Sequence, residues 1–582
     1  MSKINFRIGR FCTVLGLGKP DFVLPGKYCT LGPLENRVSD MGKDNGMNRR
    51  VSLSLVLITL FAATAGAQDW PQYRGPTRDG IAPAGPKILD SWPTNGAGPK
   101  LVWKSEALWP DKGGKAGCSS VSIADGRAYT FAYVRQKTNA AVLTTQDLAN
   151  WGWMDGVPDD LAKKVQDEKA RGKCSKLKPG PELDAAAKEF AATLSPEEAK
   201  PFGPWVQRQL TDPNTRIVPW DSLRRLAPMR DKETTIQDLD GKAGIGASGW
   251  ANPVRSFVTD KVFKLLDTII CLDAATGKEV WRKEFPGAPL HLTLDIGPSS
   301  TPTIADGKVY VQGSAGFYCL SAKDGAVVWQ AKTRFSHSSP LVMNGVAYCL
   351  VPETTAFDAK TGQVLWSQPA LKHTDTSVTK WACGGTNYLL IGFPGSCYDQ
   401  PPGAIFCLNP ADGKAVWSAL CSSGELPVIA GADTLVIYNG GNLRAFRITP
   451  TNAVTLWEAK DVGGPRGSSP VVYQGYVYPA GACHSGDALS CYDLKTGEKK
   501  WNPRKYCAES SSPVLVDGKI ITLSEEDELS QFMVMYRASP DKFEELGRFN
   551  PHAAPGASPT VVGGKMYLRL QDCVACYDLT AR

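Results

Sequence analysis

A unit of about 40 residues recurs through most of this chain, and its clearest copy is GPSSTPTIADGKVYVQGSAGFYCLSAKDGAVVW at residues 297–329. It opens on Ser-Ser-Thr-Pro and continues with two apolar segments around an Asp-Gly turn. A third apolar segment, a second Asp-Gly turn and a closing Trp follow. Four short strands in a repeat of this length are typical of one blade of a β-propeller. The repeat therefore limits the chain to a ring of antiparallel blades.

Eight openings follow one another along the chain, at 119–121, 299–302, 338–340, 376–378, 425–427, 468–470, 511–513 and 557–559. Closing strands carry a Trp that we expect to dock each blade on its neighbour: Trp281, Trp329, Trp366, Trp417, Trp457 and Trp501. The seventh copy lacks this Trp, and the eighth contains only three strands. We predict that residues 101–104, with Trp103, supply the missing strand and close the ring. The predicted fold is an all-β, eight-bladed propeller of four-stranded antiparallel blades.

The start of the chain resembles a secretory leader. Arg49 and Arg50 precede an apolar run at 51–63, and Ala65-Gly66-Ala67 fits a signal-peptidase site. The run is shorter than the roughly 20 residues that a membrane span needs. We expect a signal peptide over 47–67 and a preamble at 1–46, which initiation at Met47 would leave untranslated and initiation at Met41 would shorten to 41–46. The mature chain is then periplasmic or extracellular, with no transmembrane segment after cleavage.

The charge distribution bears on possible partners. Most of the net charge of +7 lies in the first 67 residues, and no run of basic residues stands out in the remainder. A nucleic-acid binder usually shows a basic patch or stripe. We therefore expect a small molecule or a protein as the partner, and no nucleic acid.

Turn lengths indicate which loops share a face of the ring. The first and third turns of most copies are short and contain Gly, as two-residue hairpins favour. In an antiparallel meander these two turns lie at one end, and the second turn lies at the other end with the link to the next blade. We call the first end the plain face. The second, where loop length varies, is the elaborated face.

A long insertion interrupts the second turn of the first copy. It covers residues 132–267 within a propeller predicted at 101–582, which follows an N-terminal arm at 68–100. Helices are predicted at 160–171 and 182–194, and Ser195-Pro196-Glu197-Glu198 is a capping box that opens a third. Its position predicts an insertion on the elaborated face. It either protects that face as a lid or takes part in binding, and the residues leave both alternatives open.

The repeat resembles a known superfamily. Residues 273–281 (DAATGKEVW), 358–366 (DAKTGQVLW) and 493–501 (DLKTGEKKW) are similar to the repeat of pyrroloquinoline-quinone (PQQ) propellers. The segment 69–80 (DWPQYRGPTRDG) resembles the arm of secreted PQQ-like propellers of planctomycete-type bacteria. The superfamily includes quinoprotein dehydrogenases and cofactor-free scaffolds such as the propeller of the outer-membrane assembly machinery. The resemblance therefore implies the fold and leaves the activity open.

Two hypotheses for function follow. The first is an exported scaffold that binds a ligand or a protein. The alternative is a PQQ- and calcium-dependent quinoprotein oxidoreductase that acts on an alcohol or a sugar, to which the acidic run 525–528 could contribute calcium ligands. Quinoprotein alcohol dehydrogenases carry adjacent cysteines, and this chain has no Cys-Cys pair. The Cys573 and Cys576 pair is followed by Tyr577, so it is not a c-type haem motif.

The cysteines form two groups. One group lies ten residues before a closing Trp, or at the matching place in the last copy, and Ala fills this position elsewhere, which predicts a small buried packing site: Cys271, Cys319, Cys407, Cys491 and Cys576. The other group forms two pairs, each 24 residues apart, with one Cys in a second turn and one in a blade link: Cys397 with Cys421, and Cys483 with Cys507. Because an exported chain can form disulfides, we predict both bridges.

The five histidines lie in blade links or in a second turn, which places all of them on the elaborated face. Imidazole exchanges protons and binds metals near neutral pH. Arg466 and Glu509 precede strand openings on the same side. We therefore predict His337, His484, Arg466 and Glu509 as ligand-facing residues. No spacing resembles a local metal motif, and no residue is predicted to be catalytic.

Overall fold

The chain is a ring of eight four-stranded antiparallel sheets, which confirms the predicted propeller. The computed structural model describes residues 69–93, 96–110, 116–137, 140–212, 218–235, 263–288, 297–393, 403–421, 425–460, 462, 468–480, 489–504, 511–525 and 531–581. No helix in these ranges has both the length and the apolar character needed to cross a membrane.

The first four blades contain these strands, from the channel outward. Blade 1 has β2 (Ser122–Ala124), β3 (Arg127–Lys137), β6 (Phe263–Asp273) and β7 (Glu279–Pro286). Blade 2 has β8 (Thr303–Ala305), β9 (Lys308–Gln312), β10 (Gly316–Ser321) and β11 (Val327–Lys332). Blade 3 has β12 (Leu341–Met343), β13 (Val346–Leu350), β14 (Glu353–Asp358) and β15 (Val364–Lys372). Blade 4 has β16 (Thr379–Cys383), β17 (Thr386–Phe393), β18 (Ala404–Leu408) and β19 (Ala415–Leu420).

The other four blades follow the same order. Blade 5 has β20 (Val428–Ala430), β21 (Thr434–Asn439), β22 (Asn442–Ile448) and β23 (Ala453–Ala459). Blade 6 has β24 (Val471–Tyr473), β25 (Tyr476–Tyr478), β26 (Cys491–Asp493) and β27 (Lys499–Trp501). Blade 7 has β28 (Val514–Val516), β29 (Lys519–Glu525), β30 (Gln531–Arg537) and β31 (Glu545–Phe549). Blade 8 has β32 (Thr560–Val562), β33 (Lys565–Arg569), β34 (Val574–Asp578) and, from the N-terminal side, β1 (Lys100–Lys104).

Tryptophan side chains join successive blades. Each indole N–H donates to a backbone carbonyl of the next blade, at 2.7–3.1 Å: Trp103 to Ala274, Trp281 to Ala322, Trp329 to Ala359, Trp366 to Pro410, Trp417 to Thr449, Trp457 to Leu494 and Trp501 to Ser539. In the first of these contacts a Cβ on Gly277, which has φ of +74°, would lie 2.4 Å from the Trp103 ring. Glycine therefore lets the ring approach the turn closely.

The residue opposite the Trp in the third strand is a small one, as the sequence predicted. Cys271 faces Trp281 and Cys319 faces Trp329, whereas Ala445 takes this place opposite Trp457. All three small side chains are fully buried. Burial raises the pKa of the Cys271 thiol to about 11, so these cysteines are packing residues and not reactive thiolates.

A β-bulge precedes the Trp in the outer strands. In blade 2, Cys319 pairs with Trp329 and Leu320 pairs with Val327, so Val328 is an extra residue. Val327 and Val328 are both exposed as a result. A bulge at an open edge disrupts the pattern that a foreign strand would need for pairing.

The ring closes as predicted, because β1 pairs antiparallel with β34 from Lys100↔Asp578 to Lys104↔Ala575. The arm adds a second closing contact that the sequence did not show. Gly547 occupies the Trp position of blade 7, opposite Met535. Trp92 of the arm fills this space: a Cβ on Gly547 would lie 2.6 Å from the Trp92 Cβ, and the Trp92 ring lies 5.2 Å from that of Phe549.

The insertion joins the second turn of blade 1, between β3 and β6, so its ends emerge on the elaborated face. Both strands extend into the range 132–267 that the sequence suggested. The described part contains β4 (Ala140–Val142), which pairs with β5 (Glu233–Thr235), and helices α1 (Thr145–Asn150), α2 (Asp159–Arg171), α3 (Pro181–Ala191), α4 (Pro196–Thr211) and α5 (Trp220–Leu226). The predicted capping box at Ser195 and Glu198 is present.

The insertion has its own hydrophobic core. Trp151, Trp205 and Trp220 belong to one buried cluster of insertion side chains. The Trp153 ring stacks on that of Trp220 at 4.6 Å, and the Trp205 indole N–H donates to the Gly152 carbonyl. These described contacts are internal, and Trp250 lies outside the described residues. The lid hypothesis therefore stays a prediction.

Candidate functional site

The N-terminal arm lies across the channel at the plain face. Trp70 exchanges two backbone hydrogen bonds with Ile123 of blade 1, at 2.8 and 2.9 Å, and the Ile304 N–H of blade 2 donates to the Pro71 carbonyl. Farther along the arm, residues 80–82 pair with Leu515 of blade 7. The arm thus uses the free inner edges of the innermost strands.

Arg78 extends from the arm into the channel and is 2 % exposed. Its guanidinium donates to the carbonyls of Ser339, Pro340 and Val378 in blades 3 and 4. Gln72 accepts from its Nε. Burial lowers the Arg78 pKa to about 10, which leaves the group charged at neutral pH.

Arg74 also extends from the arm into the channel, and its guanidinium donates to backbone carbonyls of blade 6. Its Nη1 donates to the Ser469 carbonyl at 2.8 Å and its Nη2 to the Pro470 carbonyl at 2.6 Å. Burial lowers the Arg74 pKa. Two buried cations from the arm, held mainly by backbone carbonyls at the openings of the innermost strands, therefore lie inside the channel.

A ring of hydroxyl groups joins the openings of the innermost strands. Backbone N–H groups donate to a hydroxyl of a neighbouring blade at 2.9–3.2 Å: Ser120 to Thr301, Thr301 to Ser339, Ser339 to Ser377, Ser469 to Ser512, Ser512 to Ser558 and Ser558 to Ser120. Blade 5 interrupts the ring because Leu426 stands at the equivalent position. The Ser469 hydroxyl, next to this gap, has no hydrogen-bond partner within the described ranges.

Asp267 is a buried carboxylate on the elaborated side of blade 1. Its oxygens accept hydrogen bonds from the Ser314 N–H and hydroxyl, the Ala315 N–H and the Tyr318 hydroxyl, at 2.8–3.2 Å. Burial raises its pKa despite these donors. Because four donors already surround it, Asp267 joins blade 1 to blade 2 and is not available as a metal ligand.

Arg569 is a third buried cation, at the elaborated end of β33. It donates to the carbonyls of Phe131 and Ala116 at 2.8 and 2.7 Å, and its guanidinium carbon lies 4.4 Å from the centre of the Trp109 ring. Burial lowers its pKa to about 10. The cation–π contact with Trp109 replaces part of its lost hydration.

Two histidines meet at the links that follow blades 2 and 3. The Asp375 N–H donates to His373 Nδ1 at 3.0 Å, and the Asp375 carboxylate lies 3.8 Å from His337 Nε2. The His337 N–H donates to the Thr374 carbonyl at 2.7 Å, which fixes one link against the other. Burial lowers the pKa of both imidazoles. Both rings are therefore neutral at pH 7, and they lie as hydrogen-bonding groups beside the Asp375 carboxylate.

The structure describes one of the four predicted ligand-facing residues, His337, and places it on the elaborated face. His484, Arg466 and Glu509 lie outside the described residues, as do Cys397, Cys483, Cys507 and the side chains of the acidic run. Cys421 is described and lies buried in the predicted link. Because its predicted partner and the whole second pair lie outside the described residues, both disulfides stay predictions. No cluster of three or more metal-binding side chains occurs in the described ranges. The structure also places His373 and Asp375 next to His337. Their position in a blade link was the sequence feature that could have identified them.

These features define a class. The molecule is an eight-bladed propeller of PQQ-like repeats, with its own arm bonded to the inner edges of blades 1, 2 and 7. A family model described as outer membrane protein assembly factor BamB matches residues 266–503. With the repeat motifs and the blade geometry, this match supports a PQQ-like β-propeller that is also similar to BamB.

Individual relatives differ in the part of the chain that they match. BamB of Burkholderia pseudomallei is 24% identical over 325 residues, which cover 52% of this chain and 76% of that protein. Tetrathionate hydrolase of Acidithiobacillus ferrooxidans is 27% identical over 188 residues, which cover 28% and 36%. The crystal structure of BamB from Moraxella catarrhalis superposes with a TM-score of 0.41 at 16% identity, covering 54% of this chain and 90% of that one.

Proposed function

We propose that this protein is an exported scaffold that binds another protein at the elaborated face, around the mouth of the propeller channel. The observation that carries the proposal is the filling of the channel by the arm. Arg74 and Arg78 reach from the arm into the channel, where their buried guanidinium groups bond to carbonyls at the openings of the innermost strands. We therefore assign the proposed partner to the loops of the elaborated face.

The chemistry of the mouth suits recognition of a polar protein surface. His337, His373 and Asp375 present neutral imidazoles and a carboxylate from two adjacent links. Such groups give directional hydrogen bonds at the polar rim of an interface. We predict from the sequence that Arg466, His484 and Glu509 add to this set from other blades. Similarity to BamB, whose name describes an outer membrane protein assembly factor, agrees with a protein partner in the periplasm.

The alternative, a quinoprotein that uses PQQ and calcium, requires converging carboxylate and amide oxygens in the channel. The described residues do not supply such a set of carboxylate and amide oxygens in the channel. The buried propeller carboxylate that they include, Asp267, already accepts four hydrogen bonds, and the inner strand openings are tied together through their hydroxyls. The sequence also lacks adjacent cysteines. We therefore derive no reaction step through a quinone.

Site-specific photo-crosslinking in the native host tests the proposal. A photoreactive residue at Asp375 should give a discrete adduct with one partner protein. The same residue at Lys360, which is exposed in a third turn on the plain face, should not give that adduct. Alanine at His337, Arg466, His484 and Glu509 together should lower the adduct yield from Asp375 about tenfold, with the melting temperature unchanged.

Two results would contradict the proposal. One is the same adduct, at the same yield, from Lys360 and Asp375. The other is a fourfold alanine variant that stays folded and crosslinks as well as the native chain does. Either result would move the binding surface away from the mouth.

A further inference from the structure

The innermost strands of the propeller differ in what covers their inner edges. The middle residues Ile123, Ile304 and Leu515, in blades 1, 2 and 7, hydrogen-bond to the backbone of the arm and are buried. The matching residues of blades 3 to 6 are Val342, Lys380, Ile429 and Val472, and all four are exposed or half-buried. We call these four residues the open arc.

Strand register shows where the backbone groups of the open arc point. Ile123 lies opposite Ala128 of the next strand, and its N–H and C=O bond to Trp70 on the channel side. Ile429 opposite Leu435, and Val472 opposite Val477, repeat this register. In an antiparallel pair, alternate residues direct both groups away from the partner strand. Ile429 and Val472 thus present a donor and an acceptor toward the channel side, and no hydrogen bond occupies them among the described residues.

A cleft of about 480 Å³ lies along blades 5 and 6 of the open arc. Ile429 and Val472 form one wall, and Thr77, Asp79 and Ile81 of the arm form the other. Gln474 of the first turn of blade 6 lies at its plain-face rim. The cleft is therefore apolar along the exposed strand edges and acidic on the arm side.

The arm itself shows what kind of chain such edges accept. Trp70 bonds to blade 1 and the adjacent residue Pro71 bonds to blade 2, so two consecutive arm residues join the inner edges of two blades. We propose that the cleft binds an extended segment of a partner protein, which adds to the inner edges of blades 5 and 6 as the arm adds to blades 1 and 2. The apolar walls select an apolar side chain, and Asp79 selects a basic side chain a few residues away. This is β-strand addition at an inner edge.

The test uses the mature chain and a fluorescein-labelled synthetic peptide with the sequence of residues 69–75. This peptide carries an apolar Trp and an Arg, and the native arm already occupies its own site. We expect saturable binding below about 1 mM by fluorescence anisotropy. Ile429→Pro and Val472→Pro each remove one inward N–H without breaking the β20–β21 or β24–β25 ladder. Each should weaken binding about tenfold.

Val342→Pro is the matched control, since it makes the same change on the open arc but outside the cleft, and it should leave the affinity within about twofold. Asp79→Asn provides a second variant that touches no ladder. It should weaken the peptide about tenfold, whereas a peptide with Gln in place of the Arg should bind Asp79→Asn and the native chain equally.

Three outcomes would overturn the proposal. They are absence of saturable binding below about 1 mM, equal affinity for the native chain and Ile429→Pro, and self-association of the protein that Ile429→Pro abolishes. The last outcome would assign the cleft to a second copy of the chain. The crosslinking from Asp375 reports on the opposite face, so failure of this inference is distinguishable from failure of the proposed function.

Discussion

Replacement of Trp103 by Ala tests the closure of the ring. The side chain is 8% exposed, donates to the Ala274 carbonyl at 3.1 Å and packs on Gly277 and on the ring of Tyr567. Trp→Ala changes in cores cost about 3–5 kcal/mol. With an unfolding entropy of about 2.1 cal/mol/K per residue over roughly 500 folded residues, this loss lowers the melting temperature by about 3–5 °C.

Differential scanning calorimetry of the mature chain is the assay, and Leu101→Ala is the control. Leu101 lies in the same strand but is 50% exposed, so its replacement should change the melting temperature by less than about 1 °C. Gly277→Ala should also destabilise the chain, because the new Cβ would meet the Trp103 ring. The two changes together should cost less than their sum, since Trp103→Ala removes the atoms that clash. Equal effects of Trp103→Ala and Leu101→Ala would refute the closure through Trp103.

Three further outcomes follow from the structure. Arg78→Met should lower the free energy of unfolding by about 3 kcal/mol or more. Arg78→Lys should not restore it, because one ammonium cannot replace the planar guanidinium that donates to three carbonyls. Urea unfolding measures the stability of both variants. Trp92→Ala should lower the free energy of unfolding by about 3 kcal/mol, because it empties the space beside Gly547. Limited proteolysis of this variant should then cleave the arm before it cleaves the blades. The lowered pKa of His337 and His373 means that the unfolded chain takes up their protons first, so stability is fully present above about pH 6.5 and falls as pH decreases below it. Replacement of both by Gln should flatten this dependence in melting curves between pH 7.5 and 5.5.

The sequence was sufficient to predict the elements that repeat. Period, turn residues and closing Trp recur in register, so the blade count, the pairing of β1 with β34 and the Cys or Ala opposite the Trp could be derived. These features depend on local pattern and on one closing strand. Local chemistry also gave the capping box at Ser195, where the residues that interact are three positions apart.

The features that the sequence did not reveal depend on contacts between distant segments. Arg74 and Arg78 lie in a polar, turn-rich arm, and their acceptors are backbone carbonyls more than 260 residues away. Every residue has a backbone carbonyl, so the residue types do not indicate which carbonyls accept these hydrogen bonds. The absence of a Trp in blade 7 was visible, but nothing marked Trp92 as its replacement. The contact between His337 and Asp375 could not be predicted from either link alone, because it depends on how the two blades lie side by side.

Retention of a quinone by the purified chain tests the central claim most directly. The mature protein is incubated with PQQ and calcium, passed through a desalting column and examined by absorbance and by dye reduction with alcohols and sugars. Because Arg74 and Arg78 occupy the channel and Asp267 already accepts hydrogen bonds from four donors, we expect no retained quinone and no dye reduction. One quinone retained per chain, with alcohol- or sugar-dependent dye reduction, would contradict the scaffold assignment.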